Sequence, residues 1–589
     1  MPAGGHGEGM GHLVRCLRLA REIGAGCSFH PGWLDTTAIR TLRDGISRFP
    51  EGRRPRIIDP ASRRGSWNLV VVDKRRTTAE ELASFRQLGT TVLLDEGGEA
   101  RRNAAYLVDT LPRLPRGEPA NSSSLAYLGL RAARGRPRRR RAGQPARLLV
   151  SFGGEDALDL TGVLVRAIIE GGLFEPGSVT VVAGPLFGDR DWPAGIRVVK
   201  NPRSLRPLFA RHDLLVTHFG MAAFEAMAAG LPVLLFNPTR YHRALARAAG
   251  IPEIGVRKVR AHALRRLLAD PGTLEAGVES FHRRLEASPC ESLAGHLAML
   301  RGASDDRCPA CGRPGPVIGR FPQRTYRRCH ACRIDYLQSF GGPPRTYRRG
   351  YFFEEYRAQY GKSYLEDFAS IEAIGRGRIA LIERALGSRA KELPRGAIVD
   401  IGCAYGPFLA AARDTGWPCF GIDVSRDAVA YVRNALKLPA ACLPLERLER
   451  RRIPGARIDA ITLWYVIEHL DDLDGALRRL AGLLDPGGVL AFSTPNGRGI
   501  SSRSSTRSFL EASPRDHRTI LAPTGLRRLL ARYGFRLAAI RVTGHHPERF
   551  PGPVGRLARR GKVGHAMVLA ASRLARLGDT FEAYAVRTA

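Results

Sequence analysis

Residues 397–406 read AIVDIGCAYG, and this stretch decides the fold of the C-terminal part of the chain. A short apolar run bounded by glycine is the pattern of a strand buried on both faces of a parallel sheet. The run breaks at Gly402 and Gly406, and FLAAARDTG (408–416) follows with helical character. Small residues at such a strand-to-helix turn let the backbone approach a ligand, although plain structural turns share the pattern. The neighbouring elements narrow the reading. WPCFGID (417–423) is a second strand ending in Asp423, 23 residues after Asp400, a spacing that fits one βαβ unit. An acid at the tip of the second strand is where α/β folds commonly hold ribose hydroxyls. IDAITLWYVIEHLDD (458–472) is a strand opening into a helix, and LAGLLDPGGVLAFSTPN (480–496) adds a helix, a turn at Pro486-Gly487-Gly488 and another strand.

In these residues the chain resembles class I S-adenosylmethionine-dependent methyltransferases, the broad group acting on quinones, sugars and other small acceptors. DxGxxxG from Asp400 to Gly406, the acidic strand end, the Glu468-His469 pair and the PGG turn occur in the family's order. The resemblance implies that Asp400, Gly402 and Gly406 contact the methionine part of S-adenosylmethionine and that Asp423 holds its ribose. It places Glu446 on the adenine side and Glu468 among the cofactor contacts. Ala404 departs from the family, which usually has glycine there; a methyl group at this position is expected to crowd the cofactor slightly. Methyl transfer needs alignment above all, with a base only for a hydroxyl acceptor. His469 and His517, in SPRDHRTI, are the candidates. The methyltransferase domain is assigned to residues 345–589. RLAAIRVTG (536–544) is its sixth strand, 552–577 an amphipathic helical insertion capping the acceptor side, and TFEAYAVR (580–587) the terminal antiparallel strand.

Upstream, Cys308-Pro-Ala-Cys311 and Cys329-His-Ala-Cys332 form two CxxC knuckles with 17 residues between them. That spacing lets four thiolates surround one Zn2+ tetrahedrally. Residues 304–340 therefore read as a small zinc ribbon, too short to bury a core of its own and stabilised by the metal. Ribbons of this kind precede sugar C-methyltransferases and also certain ribosomal RNA methyltransferases, so the ribbon leaves the acceptor open.

The N-terminal half alternates strands and helices in two blocks, 1–135 and 145–300. GEGMGHLVRCLRLA (7–20) resembles the GxGHxxRxxxLA motif of the UDP-sugar hydrolase of pseudaminic acid biosynthesis and of related glycosyltransferases of the GT-B fold. LLVSFGGED (148–156) and THFGMAAFEAMAAGLPVLLF (217–236) resemble further parts of that family. The resemblance implies a GT-B-like pair of Rossmann-type halves around a UDP-sugar. In it His12 acts at the reacting sugar, Gly153, Gly154 and Gly220 approach the diphosphate, and Glu225 holds the ribose. The strand that should precede the glycine turn looks missing, so the domain lacks a central strand or the start codon is placed too late.

Composition bounds the rest. The 589 residues carry 92 Lys and Arg against 56 Asp and Glu, a formal charge of +36, yet only seven of the basic residues are lysines. The arginines are dispersed, which argues against a nucleic-acid surface, and the dense run Arg136, Arg138, Arg139, Arg140, Arg141 reads as a linker. No apolar run reaches membrane-span length and no signal peptide is evident, so the expected location is cytoplasmic. The fold class is α/β throughout apart from the ribbon. The function expected is methyl transfer to a small-molecule or glycan acceptor, fused to UDP-sugar handling in surface-glycan or nucleotide-sugar metabolism. An RNA methyltransferase with a binding N-terminal half, and a nucleotide-sugar-binding scaffold carrying an active methyltransferase, are the alternatives.

Overall fold

A computed structural model describes residues 1–5, 10–24, 26–59, 67–113, 118–133, 147–188, 190–288, 291–300, 303–341, 353–354, 356–357, 361–455 and 457–588. The glycine turn at Gly7 and Gly9, the arginine run at 136–141 and most of the aromatic lead-in before residue 361 lie outside them. The chain forms two compact units: one of Met1–Ala303 with Arg320–Gln323, the other of Ser304–Gly319 with Arg324–Ala589.

The second unit is built on a seven-stranded sheet. Its strands are β1 (Ala397–Ile401), β2 (Cys419–Asp423), β3 (Ala440–Cys442), β4 (Ile458–Trp464), β5 (Val489–Pro495), β6 (Phe535–Thr543) and β7 (Thr580–Arg587). They lie in the order 3-2-1-4-5-7-6, with only β7 antiparallel to its neighbours. Residues 397, 399 and 401 of β1 pack into one buried cluster and Ile398 into the cluster on the opposite face. Helices cover both faces, which is why the parallel strands read as unbroken apolar runs instead of alternating. The order reverses between β1 and β4, so a crevice opens beyond the carboxyl ends of these strands.

The ribbon is less independent than its sequence suggests. Its strands Val317–Phe321, Arg324–Cys329 and Ile334–Ser339 are joined by a fourth, Thr519–Ile520, contributed by the segment after β5. Cys308, Ala310, Cys329, Cys332, Ile334 and Tyr336 belong to the same buried cluster as the face of β1. Tyr533 donates a hydrogen bond to the Ala310 carbonyl, 3.2 Å, and the Asp474 amide donates to Pro309, 2.9 Å. The polar segment thus shares its buried cluster with the larger sheet. The insertion expected as one helix over 552–577 is two, Gly552–Arg559 and Lys562–Leu574, broken at Gly561.

The first unit holds two α/β halves, parallel except for the antiparallel edge pair Glu253–Val256 and Lys258–Val259. One contains the strands Trp67–Asp73, Gly89–Leu94, Tyr106–Asp109 and Ser122–Ser123 in that order. The strand that looked missing is present as a stub: Ala3–Gly4 pairs in parallel with Trp33–Leu34, and Pro2 bridges Asp73. The other half has seven strands, with Leu148–Val150 and Leu214–Thr217 side by side at the centre. Among the described residues no helix is long and apolar enough to cross a membrane.

Candidate functional site

Asp400 lies near the carboxyl end of β1 and is almost wholly buried. Its side chain accepts a hydrogen bond from the Thr462 hydroxyl on β4, 2.6 Å away. Burial outweighs that hydrogen bond and the nearby Arg378, and pushes the acid up to about 7. A buried carboxyl held by one hydroxyl at a crevice mouth is matched to a cationic ligand group.

The loop after β1 is shaped by backbone conformation. Gly402 and Gly406 have φ of 72° and 80°, the left-handed region that favours glycine, and a Cβ on Gly402 would fall 2.4 Å from a Val466 methyl. Ala404 is also left-handed, with φ 46°. Its departure from glycine is thus a matter of backbone strain, about 1–2 kcal/mol for a residue bearing Cβ. Its amide donates to Asp423, 2.9 Å, which helps hold the loop. Asp423 ends β2 and accepts a second amide, from Ser425, at 2.8 Å. Burial raises its pKa against these two donors. Tyr364 is half-buried near both carboxylates, which with desolvation push its phenol up, and its ring lies 6.1 Å from that of Tyr405. Glu446 is exposed after β3.

At the end of β4, Glu468 is buried and burial pushes it up to about 7. It lies beside His469 and His517, with ligand atoms of all three within 4.8 Å of one another. This places Glu468 in a cluster with the two histidines, close enough to share a proton or an ion. The His469 Nδ1 lies 3.4 Å from the Asp516 carboxylate, and the two histidine rings meet edge to face at 4.8 Å. Burial lowers the His469 pKa, but Asp516 and Glu468 outweigh it and the net shift is upward.

The four Sγ atoms of Cys308, Cys311, Cys329 and Cys332 also lie within 4.8 Å of one another, Cys311 and Cys329 at 3.6 Å. Tetrahedral Zn–S bonds of about 2.3 Å require S···S edges of about 3.8 Å, so the donor set fits that ion. Arg532 donates to the Cys332 sulfur at 3.0 Å, which offsets part of the negative charge of four thiolates.

In the first unit His12 is near the start of the helix Gly11–Ile23, with Nδ1 2.6 Å from the fully buried Asp73. Arg15 grips the same carboxylate at 2.7 Å through Nε and also binds Asp95. Burial disfavours the Asp73 anion, but Arg15 and His12 outweigh it and hold the acid below the usual carboxylate range. An anionic Asp73 keeps the His12 proton on Nδ1 and the lone pair on Nε2. The turn after Leu148–Val150 packs against this helix start: a Cβ on Gly154 would lie 3.0 Å from Met10, and one on Gly153 3.7 Å from His218. His218 in turn neighbours Gly220, the N-cap of Met221–Ala228, and its ring lies 6.4 Å from that of His242. His242 is 3.3 Å from Arg75, two residues beyond Asp73. Glu225 pairs with Arg18 at 3.2 Å. Gly153, Gly154 and Gly220 are therefore linked to the start of the His12 helix through Met10, His218, His242 and Arg75. Asp73, Arg75, His218 and His242 were not singled out from sequence, although LVVVD (69–73) carries the acid at a strand end, the same signal that marks Asp423.

Comparison with known proteins bears on the second unit. A family model described as a methyltransferase domain matches residues 373–540. The ubiquinone biosynthesis O-methyltransferase of Bordetella avium (strain 197N) is 27% identical over 135 residues, 22% of this chain and 54% of that protein. The enzyme of the same description from Coxiella burnetii (strain RSA 331 / Henzerling II) is 25% identical over 181 residues, 29% of this chain and 74% of that one. The chain thus spans about half the length of the first relative and about three quarters of the second. A solved SAM-dependent methyltransferase from Archaeoglobus fulgidus is 16% identical, covering 40% of this chain and 100% of its own, with a TM-score of 0.29. The matched residues carry β1 with its left-handed loop, the acid-tipped β2 and most of β6, and the segment 373–540 is a class I S-adenosylmethionine-dependent methyltransferase domain.

Proposed function

We propose that the chain transfers the methyl group of S-adenosylmethionine to a hydroxyl of a sugar or comparable small acceptor, and that its first unit binds a UDP-sugar in the same surface-glycan or nucleotide-sugar pathway. The observation that carries the methyl-transfer reading is the pair of buried carboxylates, Asp400 and Asp423, on either side of the left-handed loop. S-adenosylmethionine supplies an electrophilic methyl group on a sulfonium, together with an ammonium and two ribose hydroxyls. Asp400 meets the ammonium and Asp423 the ribose hydroxyls, while Gly402 and Gly406 let the backbone come close. The names of the two curated relatives favour an oxygen nucleophile. His469, oriented by Asp516 and backed by Glu468 and His517, takes up the hydroxyl proton. The four cysteines hold one structural zinc ion.

A pH dependence follows from Asp400. Its acid is raised to about 7 in the ligand-free protein, and a bound ammonium favours the anion and lowers it. S-adenosylhomocysteine, which keeps that ammonium, therefore binds fully above about pH 7 and loses up to about tenfold in affinity per unit below it. The same raised pKa favours the folded ligand-free domain at low pH, a contribution lost as pH rises toward 7. Calorimetry from about pH 5.5 to about pH 8 reads the binding effect, and an affinity flat across pH 7 would remove Asp400 from the ammonium site.

For the first unit, support comes from the approach of the glycine turn at Gly153 and Gly154 to the start of the His12 helix, and from the pairing of that helix with Glu225 through Arg18. Asp73 positions His12 as a base toward an attacking hydroxyl or water at the sugar carbon, and Glu225 takes the ribose hydroxyls of UDP. Its ion pair with the partly exposed Arg18 is worth at most about 1 kcal/mol, a small cost to exchange. Titration of the purified, zinc-loaded chain with UDP and with S-adenosylhomocysteine tests both sites. Glu225→Ala is expected to weaken UDP by about tenfold or more, the value of one charged hydrogen-bond pair, and to leave S-adenosylhomocysteine unchanged. Failure of UDP to bind wild-type protein would set aside the nucleotide-sugar reading and make RNA the next acceptor to test.

A further inference from the structure

The two helices between β6 and β7 are packed inside out. Gly555, Ala558, Val568 and Ser572 are the buried residues of the pair, and the Ser572 hydroxyl lies 2.8 Å from Nδ1 of His545. The larger apolar side chains face water: Val554 and Leu557 on the first helix, and Val563, Met567 and Leu574 on the second, exposed by 76%, 60% and 89%. Ala566 and Ala570, also exposed, complete a continuous stripe at helical spacing along the second helix. A helix of a globular protein places such a stripe against the core. No acidic residue occurs between Glu548 and Asp579. Arg556, Arg559, Arg560, Lys562, Arg573 and Arg576 are exposed around the stripe. Among the described residues, Arg556, Arg560, Lys562, Arg573 and Arg576 make no ion pair.

The position of this pair follows from the sheet register. Thr580, at the start of β7, lies opposite both Pro495 at the carboxyl end of β5 and Thr543 at the end of β6. The helices therefore emerge from the same edge of the sheet as the tips of β1 and β2, and they lie outside the residues matched by the methyltransferase family model.

We propose that this helical pair docks on an anionic membrane surface, with Val563, Met567 and Leu574 entering the headgroup–acyl boundary and the flanking arginines meeting lipid phosphates. An exposed apolar stripe within an acid-free basic segment is the pattern of an interfacial helix. Nucleic acid fits less well, since residues 551–577 contain no Phe, Tyr or Trp and offer bases only the imidazole of His565 to stack on. Docking brings the ligand edge of the sheet to the bilayer and suits an acceptor carried on a lipid. That last consequence rests on the methyl-transfer reading, whereas membrane binding is read without turnover.

The test is co-sedimentation of the full, zinc-loaded chain with vesicles of phosphatidylcholine alone or mixed with phosphatidylglycerol. Binding is expected only with the anionic lipid and is expected to weaken as salt rises. Because the whole chain carries +36, two variants localise the contact. Combined Val563→Glu, Met567→Glu and Leu574→Glu should reduce partitioning by about tenfold or more with S-adenosylhomocysteine affinity retained. Met567→Trp should shift its added emission to the blue on vesicles and be quenched by brominated acyl chains. The proposal is overturned if wild type does not bind, if the triple variant binds as well as wild type, or if the tryptophan stays in water. A change in oligomeric state of the triple variant without vesicles would also overturn it, by making a second copy the occupant.

Discussion

Asp423→Ala is expected to weaken S-adenosylhomocysteine binding by about a hundredfold or more in titration calorimetry. A carboxylate hydrogen-bonded to ligand hydroxyls contributes about 1.5–3 kcal/mol per bond, and the tip of β2 offers two acceptor oxygens to two ribose hydroxyls. The same oxygens receive the amides of Ala404 and Ser425, so alanine also frees the left-handed loop of the proposed cofactor site. Asp423→Asn separates the two contributions: it keeps an acceptor for one amide, removes the charge, and should fall between wild type and alanine. Binding of the alanine variant within threefold of wild type, on the scale where about 0.65 kcal/mol is a factor of three, would mean that Asp423 does not hold the ribose.

Cys329→Ser is expected to release the zinc ion and to lower the unfolding midpoint of the second unit. Loss of a structural metal belongs to the changes that cost about 4 kcal/mol or more, which for a unit of this size is roughly 8–16 °C. The effect should reach the methyltransferase domain, because the ribbon and β1 share one buried cluster and the strand Ile334–Ser339 pairs with Thr519–Ile520. That short strand directly follows His517 and leads into the helix Pro523–Ala531, so zinc loss should also disturb the His469–His517 contact. Metal analysis of the wild-type chain should return one zinc per chain, and calorimetric unfolding of the variant reads the rest. A variant that keeps its midpoint would show that the cysteines pack as ordinary small hydrophobes and carry no metal.

The most legible parts of the molecule are those whose physics is local along the chain. Parallel strands buried on both faces appear as apolar runs, and the acids at their tips stand out because nothing else in the run is charged. Asp400, Asp423, the glycines between them and the two CxxC knuckles are therefore readable from spacing alone. Pairings across the chain are not readable in this way. Thr462 meets Asp400 from 62 residues away, Asp73 meets His12 from 61, and Arg18 meets Glu225 from 207. In each case the residue type is ordinary and only its placement gives it a role.

The same division explains the corrections. The missing first strand is a stub of two residues, too short to produce a periodic signal, and is held by parallel pairing to Trp33–Leu34. The single insertion helix is two because Gly561 ends the regular pattern. The strand that joins the cysteine-bearing sheet is not legible beside it, because Thr519–Ile520 lies almost two hundred residues later.

By itself, the sequence determined the class of the second unit and the four cysteines brought together, since buried strands, tight glycine turns and paired knuckles each require particular residues at short range. The tertiary structure decided which carboxylates become buried enough to want a cationic ligand, which histidine is oriented by an acid, and which side of the insertion faces water. Those properties depend on desolvation and on partners that the chain brings together only when it folds, and residue identity alone does not encode them.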